Sequence, residues 1–147
     1  QDNLAYVTNV VTELRATGAP DTPLVYAGFS QGVAMAYRAA LSTKHTCQGL
    51  LALAGDIPPE LHSTPAPRWP PMLLGHGLAD QWYTQGKWRK DWNVLKSQGI
   101  RFDTVQFDGG HEWHPEFLGA AGRFLDRIRE KQVGTRATKS QVDGGYA

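Results

Sequence analysis

The stretch from Leu24 to Ala36 limits what this chain can become more than any other. An apolar run, Leu24-Val25-Tyr26-Ala27, leads into Gly28-Phe29-Ser30-Gln31-Gly32, and small or apolar residues at helical spacing follow. This pattern predicts a strand that turns at once into a helix, with Ser30 at the apex. Such a turn forces strained backbone angles on the serine and brings the chain close to its neighbours on both sides. Gly28 and Gly32 suit that crowding because neither carries a Cβ. Gly-x-Ser-x-Gly alone also occurs in ordinary Gly-rich turns, so the flanking strand and helix carry the reading.

The rest of the chain alternates in the same way. Residues 1–16 read as an amphipathic helix capped by Asp2 or Asn3, with Leu4, Val7, Val10, Val11 and Leu14 on one face and Gly18 and Pro20 at its end. Leu24 to Gly28 forms the first strand, apolar on both faces as a buried parallel strand requires. The helix after Ser30 runs to about Ser42. Gly49 to Gly55 is a second, wholly apolar strand. Residues 56–71 carry six prolines and can be neither helix interior nor central strand. Met72 to Gly75 is a third strand. A helix follows from about Thr84 to Gln98, with Trp88, Trp92 and Leu95 as its buried stripe and Gly99 as its stop. Ile100 to Phe107 is a fourth strand, and Arg101 and Asp103 suit it to an edge. A last helix enters at Pro115 and buries Phe117, Leu118, Phe124, Leu125 and Ile128. From Gln132 the apolar pattern stops, and a disordered tail is expected over 132–147.

Strands alternating with helices imply an α/β fold: a mostly parallel sheet of about four strands, with helices on both faces. In such sheets the ligand sits at the carboxyl ends of the strands. Ser30, Asp80 and His111 follow the first, third and fourth strands. A serine hydroxyl is a poor nucleophile at neutral pH and needs a base within hydrogen-bond reach, for which histidine is suited. The imidazole needs a carboxylate to hold its tautomer and stabilise its cation. Ser, then Asp, then His, each at a strand's carboxyl end, is a chain order that serves nucleophilic acyl transfer. Asp56, after the second strand, is the rival for the acid.

The residues Gly28-Phe29-Ser30-Gln31-Gly32, then Leu74-Gly75-His76-Gly77-Leu78-Ala79-Asp80, then Gly109-Gly110-His111-Glu112 resemble the motifs of the phospholipase/carboxylesterase family of α/β-hydrolases, which includes the acyl-protein thioesterases. The resemblance spans the chain to about residue 131. It implies a partial α/β-hydrolase fold, with residues 1–131 as the C-terminal part of the domain. It implies Ser30 as nucleophile, Asp80 as orienting acid and His111 as base. It favours Asp80 over Asp56, because the Gly-x-x-Asp context matches. Val33 stands where the family commonly has a second glycine. The strands and loop that precede the family's elbow, including one oxyanion donor, have no counterpart here. By motif only the backbone N–H of Gln31 is available for an oxyanion hole. Losing one such donor costs on the order of 100- to 1,000-fold in rate.

The expected function is that of a serine hydrolase for small-molecule esters or thioesters, without a cofactor. Phe29, Trp82, Tyr83 and Trp113 are the candidate pocket residues. An inactive or weakly active fragment, and a prolyl oligopeptidase-like peptidase with the same triad order, are the competing readings. Strand 24–28 would be a bare apolar edge, so a complementing N-terminal segment or a second copy of the chain is expected to cover it. A net charge of +1 without a run of one sign gives no footprint for nucleic acid. No stretch approaches the roughly 20 apolar residues of a membrane span. The single cysteine, Cys47, excludes an internal disulfide, and the histidine spacing gives no metal site. The chain opens on a helical pattern without a signal-peptide signature, as a processed or truncated end would, and the compartment stays open.

Overall fold

The structure is a computed structural model that describes residues 2–17, 22–42 and 44–143; of Asp2 and residues 135–143 it describes the backbone alone. Four strands, β1 (Val25–Phe29), β2 (Gly49–Leu53), β3 (Met72–Gly77) and β4 (Phe102–Phe107), form one sheet in the order β1-β2-β3-β4. All three pairings are parallel, with Gly28 opposite Ala52, Ala52 opposite Leu74, and Gly75 opposite Val105. The helices are α1 (Asp2–Ala16), α2 (Gln31–Ser42), α3 (Gln85–Ser97) and α4 (Pro115–Asp143). The Pro-rich segment between β2 and β3 makes two short 3-10 turns, Pro59–Leu61 and Ala66–Arg68.

The central strands are buried throughout because they are sandwiched between helices. A Cβ on Gly28 would lie 2.6 Å from Val33 Cα of α2, so the absent side chain lets that helix seat on the sheet. On the other face Phe117 and Phe124 of α4 lie against Gly75 and Gly49. Gly28 and Gly75 pair with the adjacent residues Ala52 and Leu53, which point to opposite faces. Helices therefore cover both faces. Gly99 ends α3 at φ +67°, in the left-handed region that favours glycine.

Several side chains lie elsewhere than the pattern predicts. Trp92 is exposed and Asp91 is buried in its stead. The α3 stripe turns by one position because Asp91 accepts hydrogen bonds from the interior, while Trp92 meets Phe102 edge-on under the Lys96 ammonium. On α4 the buried face is Phe117, Ala121, Phe124 and partly Ile128, spaced four, three and four residues apart. Leu118 and Leu125 sit one position off that face and are exposed. Of the α1 face only Val11 is buried; Leu4, Val7 and Val10 are half-buried and Leu14 is exposed. Gly18 and Pro20, the expected stop of α1, lie outside the described residues.

The α4 backbone stays helical past Gln132 to Asp143. Arg136, Ala137, Lys139 and Gln141 are good helix formers, and no proline interrupts the run. Residues 144–147 are outside the described residues.

β1 and β4 are the sheet edges. The Asp103 carboxylate on β4 is paired with Arg127 of α4 at 2.6 Å. β1 is the opposite edge. Ala27 in its middle is exposed, and no described residue of the chain pairs with its outer side.

Candidate active site

Three strand ends deliver the site. β1 ends at Phe29, and α2 begins at Gln31. Ser30 bridges them at φ 55°, a left-handed backbone that a non-glycine residue adopts only under local constraint. The constraint is visible: Ser30 N–H donates to Leu53 C=O at 3.0 Å, and Ser30 C=O accepts from Val33 N–H at 3.0 Å. A Cβ on Gly55 would lie 2.4 Å from Ser30 C=O, so a second glycine clears space beside the turn. Ala54, next to it, is also held at positive φ (56°), a strain the sequence pattern did not point to. The Ser30 hydroxyl thus stands at the N-terminus of a 12-residue helix, where the helix dipole favours developing negative charge.

The third and fourth strand ends lock together. Leu78 N–H donates to Phe107 C=O and Ala79 N–H to Gly109 C=O, each at 2.9 Å. Gly77 makes this approach possible, since a Cβ there would lie 2.2 Å from Gly110 C=O. Glu112 accepts from Gly110 N–H at 3.0 Å and so closes the turn carrying His111.

These turns bring the three distant side chains into one hydrogen-bonded row. His111 Nε2 lies 2.8 Å from Ser30 Oγ, and His111 Nδ1 lies 2.8 Å from Asp80 Oδ2. The Asp80 side chain is fully buried, and His111 is about one-fifth exposed. The other oxygen, Asp80 Oδ1, accepts the backbone N–H groups of Trp82 (2.8 Å) and Tyr83 (2.9 Å). Burial alone would raise the Asp80 carboxyl. The hydrogen bonds from His111, Tyr83 and Trp82 outweigh it and hold the group below the ordinary carboxylate value. With Nδ1–H donated to Asp80, Nε2 is left as an acceptor facing the serine hydroxyl.

Asp56, the rival acid, is not in this row; it pairs with Lys87 at 3.0 Å. Both line a cleft of about 240 Å³ with Ser30, Gln31, Trp82, Tyr83 and His111. Of the four expected pocket residues, Trp82 and Tyr83 line this cleft and Phe29 and Trp113 do not. The Phe29 ring packs against His111 (4.9 Å between centroids) and Trp113 (5.4 Å), supporting the imidazole from behind. Among the described residues no group of three His, Cys, Asp or Glu side chains could hold a metal ion. No described helix is long and apolar enough to cross a membrane.

The remaining histidines have other partners. His76 lies inside β3, fully buried, with Nε2–H donating to Tyr83 C=O at 3.0 Å and Nδ1 facing Gln106 at 3.3 Å. Burial lowers its pKa below the usual histidine value. His45 contacts Thr12 of α1, His62 contacts Ile57 C=O, and His114 stacks on Phe107. Sequence reasoning missed Asp91; the available signal was a carboxylate within the apolar stripe of α3.

Comparison with known proteins places these features in context. The family model for phospholipase/carboxylesterase matches residues 1–129. Acyl-protein thioesterase 1 homolog 1 of Dictyostelium discoideum is 29% identical over 129 residues, covering 84% of this chain and 57% of that protein. Acyl-protein thioesterase 1 of Neurospora crassa is 29% identical over 147 residues, covering 94% and 59%. The chain thus spans somewhat over half the length of these curated relatives. In fold it is similar to SOBER1 of Arabidopsis thaliana (TM-score 0.67, 20% identity, 90% of this chain and 63% of that one). Acyl-protein thioesterase 2 of Zea mays is similar to the same degree (TM-score 0.67, 22% identity, 86% and 65%). With the family model matching residues 1–129, on a parallel sheet of the partial α/β-hydrolase kind, the chain belongs to the phospholipase/carboxylesterase family of hydrolases.

Proposed function

We propose that this chain carries the reacting groups of a serine hydrolase that cleaves carboxylic esters or thioesters through an acyl-enzyme. The observation that supports the reading is the row Ser30 Oγ, His111 Nε2 and Nδ1, Asp80 Oδ2, with both links at 2.8 Å. Ser30 Oγ attacks the acyl carbonyl carbon as its proton passes to His111 Nε2. The new oxyanion faces the N–H of Gln31 at the head of α2. On collapse the C–O or C–S bond breaks, and His111 gives the proton to the leaving alkoxide or thiolate. Water then attacks the acyl-serine, again losing a proton to His111. That proton returns to Ser30 Oγ as the carboxylic acid leaves. Asp80 keeps Nδ1–H in place and offsets the imidazolium charge throughout.

A fluorophosphonate probe tests this directly. Its phosphorus should be captured by Ser30 and by no other residue, as peptide mass spectrometry of the labelled chain would reveal. An adduct on a different side chain, or none after prolonged exposure, would overturn the assignment.

The open side of β1 supports a second part of the proposal. The chain is completed at this edge by a segment from outside the described residues or by a second copy, which adds the missing oxyanion donor. An apolar edge strand without cover is an association site. Sedimentation of the 147-residue chain should therefore detect concentration-dependent association, or hydrogen exchange should find β1 amides protected. A monomer whose outward β1 amides exchange at the rate of free peptide would refute this.

A further inference from the structure

Three polar side chains are buried among the described residues, His76, Asp80 and Asp91, and all three converge on Tyr83. Tyr83 N–H donates to Asp80 Oδ1 at 2.9 Å. Tyr83 C=O accepts from His76 Nε2–H at 3.0 Å. Tyr83 OH donates to Asp91 Oδ2 at 2.7 Å. The same Asp91 oxygen accepts Ile57 N–H at 3.1 Å, which ties in the segment carrying Asp56. Asp91 thus ties Tyr83, which lines the cleft, to the segment that carries Asp56.

A carboxylate on the inner stripe of α3 is costly there. It is 2% exposed, and burial raises its pKa. Its contacts indicate what it does in return. The near end of the 80–83 turn is held by the Asp80 N–H to Gly77 C=O bond, Trp82 within it is 74% exposed, and the far end is held by Tyr83. Tyr83 N–H shares with Trp82 N–H the hold on Asp80 Oδ1 that fixes the rotation of the carboxylate and leaves Oδ2 aimed at His111. His76 holds the backbone of Tyr83 and Asp91 holds its ring, with His76 itself stacked on Trp88 at 5.1 Å.

We propose that Tyr83 and Asp91 are positioning residues: their hydrogen bond sets the 80–83 turn so that Asp80 Oδ2 meets His111 Nδ1. The proposal rests on the Ser30–His111–Asp80 reading, and neither residue touches the reacting atoms in it.

Tyr83→Phe tests it with the least disturbance, since it keeps the ring and both backbone hydrogen bonds. The first readout is the low-field proton resonance of His111 Nδ1–H, which reports the bond to Asp80. The second is the rate of fluorophosphonate capture at Ser30. In Tyr83→Phe the resonance should shift upfield or broaden away, and capture should slow about tenfold, the worth of one hydrogen bond to a charged group. Asp91→Ala should behave likewise. Asp91→Asn, whose amide oxygen still accepts from Tyr83, should lie closer to the unsubstituted chain. If Tyr83→Phe folds by circular dichroism yet keeps both the resonance and the capture rate, the pair is merely structural and the proposal fails. Should Asp91→Ala not fold, Tyr83→Phe decides alone. The resonance needs only the Asp80–His111 bond, so it remains readable even if Ser30 proves not to be the residue captured.

Discussion

Ser30→Ala is expected to reduce turnover of a short p-nitrophenyl ester to background, a loss of about a million-fold where the intact site is fully active. The size follows from how the groups act together. Without Oγ there is no nucleophile for His111 to activate, and the remaining groups can only polarise a bound carbonyl. The fold should hardly notice. Ser30 donates and accepts its structural hydrogen bonds through its backbone, and alanine tolerates the same φ no worse than serine does. Equal melting temperatures together with lost turnover would be the supporting pair. Turnover by Ser30→Ala at the unsubstituted rate would remove Ser30 from the chemistry.

Asp80→Asn should follow with a loss of about ten thousand-fold. The asparagine oxygen is drawn to the two N–H groups of Trp82 and Tyr83, which leaves its NH₂ facing His111 Nδ1. Two donors then meet, the imidazole moves its proton to Nε2, and Nε2 can no longer accept from Ser30. Asp56→Asn, by contrast, should change kcat/KM by no more than about fivefold, the worth of an exposed ion pair. Parallel kinetics of the two variants separate the acids. A small effect at Asp80 with a large one at Asp56 would reverse the assignment. Acid unfolding supplies an independent check. The folded Asp80 pKa lies below its ordinary value, so its contribution to stability is complete above the ordinary carboxylate range. That contribution is lost as pH falls through the lower folded value. Asp80→Asn should flatten that part of the unfolding curve.

Much of the architecture was legible because it rests on local patterns. The elbow reads from Gly28 and Gly32 around Ser30, the edge position of β4 from Arg101 and Asp103, and the Pro-rich excursion from the prolines themselves. Element ends differed by a few residues, as where β3 runs on to Gly77 and carries His76 inside the strand. Which face of each helix is buried was less legible. Trp92, Leu118, Leu125 and Leu14 satisfy a hydrophobic pattern and still lie exposed. A helical period allows the stripe to rotate by one position, and the choice depends on what the partner surface offers. On α3 that partner offered two donors, Tyr83 OH and Ile57 N–H, so an aspartate turned inward and a tryptophan outward.

The sequence by itself determined the alternation of strands and helices, the strained turn at Ser30 and the order of Ser30, Asp80 and His111 along the chain. Each depends on residues close in sequence, through propensity, missing Cβ atoms and strand-end position. Only the tertiary structure decided that Asp80, not Asp56, meets His111 and that Tyr83 gathers the buried polar groups. Those outcomes depend on which strand ends adjoin in the sheet and on which buried donors must find acceptors, and such pairings form between residues tens of positions apart.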